Sequence, residues 1–132
     1  MLRLFAKPIV SQSEYTAGRA VSVWVGNFES EDALDEYLQK EEGFAADYGF
    51  RIDDRSPPEV SVEKEKVGMR ELLTGFSLCD QFIEDALAEA GKKKMDGASA
   101  AVVFHFLAYP EKAARCQKKL RYLGCFSAEG FK

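Results

Sequence analysis

Residues 20–25, Ala-Val-Ser-Val-Trp-Val, alternate strictly between apolar and other positions. β-Branched residues at every second place predict a strand, with Val21, Val23 and Val25 on one face and Ser22, Trp24 and Gly26 on the other. The period then lengthens. Ala33, Leu34, Tyr37, Leu38 and Glu41 share one side of a helix that Ser30 caps. Glu31 and Asp32 in its first turn suit the helix dipole, and Gly43 is placed to end it. Residues 44–50 read as a short helix or irregular turn, and 51–58 as a polar loop from which Pro57-Pro58 excludes helix. Val60 and Val62 alternate with Ser61 and Glu63, which predicts a short edge strand.

Met69, Leu72, Leu73 and Phe76 resume helical spacing. Ser77 and Asp80 form a capping-box pattern before a helix with Leu78, Phe82, Ile83, Ala86, Leu87 and Ala90 on one stripe, stopped by Gly91 and followed by Lys92, Lys93 and Lys94. Asp96-Gly97 marks a turn. Residues 100–108 are the strongest strand: Val102, Phe104 and Phe106 on one face, Val103 and Leu107 around His105 on the other. Apolar residues on both faces predict a central strand covered on both sides. Pro110 opens a helix running to about Lys119, with Ala113, Cys116 and Leu120 inward, and Tyr122, Leu123, Cys125 and Phe126 form a last strand. Residues 1–19 mix Leu2, Leu4, Phe5, Ile9 and Val10 with Pro8 and a polar stretch, and read as an N-terminal arm before a single domain at 20–132. The order predicts an α+β fold: one layered domain with a mixed or antiparallel sheet of three to five strands packed with helices.

A chain of 132 residues supports one core. Eighteen basic and 22 acidic side chains leave a net charge of −4, which argues against nucleic-acid binding. No apolar run reaches the roughly 20 residues of a membrane span, and no signal-peptide pattern opens the chain, so a cytoplasmic, membrane-free protein is expected. The charge is uneven. Residues 29–54 hold ten acids and two bases, for a net −8; residues 92–132 hold nine bases and three acids, for a net +6. Such runs are usually solvated faces that partly pair with each other in the fold. The functional alternative is an acidic patch that steers a basic partner, such as a nuclease.

Catalytic signals are weak. Cys79, Cys116 and Cys125 lack a CxxC pair, and with His105 as the only histidine they fall short of a zinc site. Asp53-Asp54 lacks the rhythm of a calcium loop, and no phosphate loop, dinucleotide fingerprint or nucleophile elbow occurs. No metal or cofactor is therefore expected. His105 reads as a hydrogen-bonded sheet residue. The enzymatic alternative uses His105 with nearby carboxylates and needs an open cleft lined by that histidine. A third alternative is a structural homo-oligomer, with one face of strand 100–108 buried against its twin.

The stretch from Val23-Trp24-Val25-Gly26-Asn27-Phe28 through Ser30, Glu31 and Asp32 to Tyr37-Leu38 resembles the opening signature of the immunity protein 22 family. Looser similarity reaches residue 127. In this motif Gly26 lets the chain leave the strand in a conformation costly for other residues, Asn27 bridges the turn, Phe28 packs the junction, and Trp24 reads as core. The resemblance implies a small α+β protein of bacterial polymorphic toxin systems that is not an enzyme and binds a cognate toxin; a monomer or weak homo-oligomer is expected. The acidic stretch suggests the surface: Glu31, Asp32, Asp35, Glu36, Glu41 and Glu42, with Asp53 and Asp54 at the rim.

Overall fold

In the computed structural model, residues 8–128 are described; Leu2, Leu4 and Phe5 fall outside them. The alternating segment is the second half of a longer strand, β2 (Thr16–Gly26), preceded by β1 (Val10–Ser11). The elements that follow are α1 (Glu31–Gln39), a wide turn at Glu41–Ala45, α2 (Ala46–Tyr48), β3 (Phe50–Arg51), β4 (Glu59–Gly68), α3 (Met69–Leu73), α4 (Cys79–Lys92), β5 (Gly97–Leu107) and β6 (Leu120–Ser127). Four strands form one antiparallel sheet in the order β4-β5-β2-β6, and β1 pairs with β3 in a separate parallel ribbon. The fold is α+β, as the pattern predicts.

Both faces of β5 are covered by this chain's own helices. Val21, Val23 and Val25 of β2, with Ala101 and Val103 of β5, pack under α3 and α4. Trp24, Ala100, Val102 and Phe104 point the other way, under α1 and residues 44–50. Among the described residues, both faces of β5 are thus packed within the chain, apart from the exposed Phe106.

The second layer is aromatic. Trp24 is fully buried, with the rings of Phe44, Tyr48, Phe104, Tyr109 and Tyr122 at 4.7–5.4 Å from its own. These edge-on and tilted contacts are the arrangements aromatic quadrupoles favour. Three tyrosine hydroxyls of this layer donate to backbone carbonyls. Tyr48 donates to the Leu120 carbonyl, Tyr109 to that of Tyr48 and Tyr122 to that of Tyr109. Ser22 Oγ donates to the Leu107 carbonyl at 2.7 Å and accepts from the Tyr109 N–H at 3.1 Å. Burial pushes the Tyr48, Tyr109 and Tyr122 phenols well above their ordinary range, so they remain protonated donors.

The structure corrects several expectations. The helix expected from Pro110 to Lys119 is a single 3₁₀ turn, Glu111–Ala113. Beyond it the N–H groups of Arg115 and Cys116 both bond the Asp47 carbonyl, across to the other layer, instead of closing helical turns. Ser77 does not cap α4: Leu78 occupies that position with φ of 59°, and Ser77 gives its N–H and hydroxyl to Glu59. α4 continues through Gly91, and α1 stops at Gln39, before Gly43, leaving Glu41 exposed outside the helix instead of on its buried side. Phe106 takes φ of 63° and turns outward, which breaks the alternation and delivers Leu107 to the aromatic side. Gly26 is required by close approach, not by conformation: a Cβ there would lie 2.4 Å from the Lys119 carbonyl oxygen.

Trp24→Ala is expected to cost about 3–5 kcal/mol, whereas Glu31→Ala on the surface stays within about 0.5 kcal/mol. Urea unfolding followed by far-ultraviolet circular dichroism measures both.

Candidate functional site

The acidic stretch is organised around α1. Ser30 Oγ accepts the Ala33 N–H at 3.0 Å and fixes the helix start. Asn27 Oδ1 accepts the Ser99 N–H at 3.1 Å, and Ser99 Oγ accepts that of Phe28 at 3.1 Å, which ties the strand–helix junction to β5. Phe28 packs its ring against Tyr37. Leu34, Tyr37 and Leu38 bury the inner side of α1, so its acids stand on the outer side. The wide turn follows at once. Gly43 is obligatory there, because a Cβ would meet the Tyr37 carbonyl oxygen at 2.3 Å.

α1 forms a ridge with a groove on each side. The first groove, about 480 Å³, lies between α1 and loop 51–58. Its apolar lining includes Leu38, Ile52, Pro57, Pro58 and Val60; its charged lining is Asp35, Glu41 and Asp54 against Arg51. The second groove, about 580 Å³, holds Glu29, Glu36, Glu42 and Asp47 against Lys40 and Lys119. Of the eight predicted acids, the structure brings Asp35, Glu41 and Asp54 together in the first groove, and Glu36 and Glu42 in the second. Glu31 and Asp32 are exposed in the first turn of α1 and line neither. Asp53 is turned into its own loop, where its Oδ1 accepts the Arg55 N–H at 2.9 Å. That bond, with the Arg55 guanidinium, holds its carboxyl below the usual range.

Little neutralises this surface. Glu36 meets Lys40 at 3.6 Å, and Arg51 forks onto Glu41 at 2.5 and 3.1 Å. Such exposed pairs contribute about 0–1 kcal/mol each. Among the described residues no ion pair joins the acids of 29–54 to the bases of 92–132. The two charged regions do not cancel through direct contact.

Pattern reasoning overlooked Gln12. It is 6% exposed; its Nε2 donates to the Ser56 carbonyl at 3.0 Å and its Oε1 accepts the Asp53 N–H at 2.7 Å. One amide thus clamps both sides of the loop that walls the first groove. An isolated polar residue in a polar stretch gives no signal of such a role.

His105 is held by a carboxylate on the neighbouring strand β4. Its Nε2 lies 2.7 Å from Glu59 Oε1, and Ser77 Oγ donates to Glu59 Oε2 at 2.9 Å. The carboxylate therefore stands between the serine hydroxyl and the imidazole, one oxygen to each. The depression of about 250 Å³ beside Glu59 is lined by Thr74, Gly75 and Phe76 but not by His105. No helix among the described residues is long and apolar enough to cross a membrane.

Gln12→Ala removes the partner of the Asp53 N–H and of the Ser56 carbonyl, in two part-buried hydrogen bonds. A loss of about 1–2 kcal/mol is expected, with amide exchange at Asp53 accelerated more than that of β5; equal acceleration throughout would show that Gln12 has no particular hold on the loop.

No curated protein and no solved structure matches the chain. The profile of one family, described as Immunity protein 22, covers residues 21–129. That span runs from the buried Val21 in β2 to just past the end of β6 and takes in α1 and both grooves. The chain belongs to the Immunity protein 22 family.

Proposed function

We propose that this protein neutralises a cognate toxin domain in the cytoplasm of the producing bacterium by binding it through the acidic ridge of α1 and the adjoining loop 51–58, without making or breaking bonds. Family membership supports the role. The observation that carries the choice of surface is the one-sided charge: ten acids against two bases in 29–54, unpaired with the basic C-terminal region among the described residues. Glu31, Asp32, Asp35, Glu36, Glu41, Glu42 and Asp54 present carboxylates to solvent, and Asp53 shapes the rim. A negative ridge of this kind accelerates encounter with a basic partner and disfavours acidic ones. A nuclease fits best, because a surface that holds nucleic acid is itself basic. Covering that surface would also block the nucleic acid.

The test is charge reversal. Asp35 and Glu36 are both exposed, so the double variant Asp35→Lys, Glu36→Lys keeps the fold. Binding to the cognate toxin domain is expected to lose roughly tenfold or more in association rate at low salt, with a smaller loss at high salt. Unchanged association at both salt concentrations would remove this ridge from the interface.

A further inference from the structure

The two grooves beside α1 differ in chemistry. The second carries cations on its walls, Lys40 and Lys119, among its four acids. The first has an apolar floor, an acidic rim and one arginine of its own. We propose that the first groove is the receptor for a single arginine side chain of the bound protein, and that Arg51 is its intramolecular stand-in. This rests on the reading that the α1 surface is the binding surface and names the chemistry of one contact within it.

Three features of the groove support the assignment. Its floor, with Leu38, Ile52, Pro57 and Val60, matches the aliphatic stem of a long side chain whose charged end stays at the mouth. Its rim is under-neutralised. Asp35 accepts one amide hydrogen bond, from Gln39 at 3.0 Å, and Asp54 has no ion pair among the described residues. Finally, Arg51 already displays the recognition geometry. Its Nε and Nη2 donate in parallel to the two oxygens of Glu41. That fork is a guanidinium property; an ammonium offers only a point charge.

The stand-in is displaceable. The side chains of Arg51 and Glu41 are 57% and 53% exposed, so their pair is screened by water and held weakly. An incoming guanidinium, stacked on the proline wall, takes over Glu41 and adds the charges of Asp35 and Asp54.

The assignment is tested on the full chain with N-acetyl-arginine amide as the probe, by NMR titration at low salt, beside N-acetyl-lysine amide. Saturable shifts are expected at the side chains of Leu38, Ile52 and Val60, with a dissociation constant in roughly the millimolar range. Arg51→Ala releases Glu41 and is expected to tighten arginine binding about threefold, whereas Asp54→Asn weakens it about threefold. The lysine probe should bind more weakly in every case. Shifts that never saturate, that spread equally over both grooves, that are matched by the lysine probe, or that ignore both substitutions would overturn the assignment. Because the titration needs no toxin, its failure would remove this contact and leave the wider α1 surface to the charge-reversal experiment.

Discussion

The indole of Trp24 lies between the sheet and residues 44–50, with five aromatic rings around it at close range. Two of these rings, Phe44 and Tyr48, sit on segments too short to be stable as helices in isolation. They are ordered because they have an aromatic surface to rest on and because tyrosine hydroxyls take up the carbonyls of neighbouring segments. The same layer anchors Leu34, Tyr37 and Leu38, so α1, nine residues long, owes its place to packing more than to its own propensity. The acidic ridge is thus mounted on a dry aromatic bed that the sheet holds in register.

This arrangement separates the stability of the fold from the surface proposed for recognition. Among the described acids of 29–54, Asp47 is drawn partly inward: it accepts the Tyr37 hydroxyl at 2.7 Å and steadies the bend between α1 and α2. The others face water, apart from Asp53 in its loop; Glu36 and Glu41 pair with exposed cations of their own region, and Asp35 accepts the Gln39 amide. Their substitution costs the fold little, which leaves a surface of this kind open to change as its partner changes. The support beneath it is less free. Gln12 bridges Asp53 and Ser56, and β1 pairs with β3, so residues before β2 also shape the wall of the first groove.

Local signals account for what was legible in the chain. Strand alternation at 20–25, the double-sided apolar run of β5, the Ser30 cap and the burial of Trp24 each depend on a few neighbouring residues, and all are present in the structure. The misreadings share a different origin. Ser77 looks like a cap but serves Glu59, eighteen positions away; residues 114–119 look helical but give two N–H groups to Asp47 in the opposite layer. Phe106 leaves its face at a backbone bulge that composition does not announce. In each case a long-range hydrogen bond or an irregular dihedral outcompetes a local preference. The site was legible as a run of acids, but its division by α1 into two unlike grooves was not, since that depends on where loop 51–58 folds back.

The central claim is that this protein meets its partner with the α1 side and not with the α3–α4 side. Hydrogen–deuterium exchange of the protein alone and bound to its toxin tests it most directly. The account predicts slowed exchange confined to residues 31–42 and 51–58, with α4 unchanged. Protection centred on α3 and α4, with residues 31–42 exchanging as in the free protein, would contradict it.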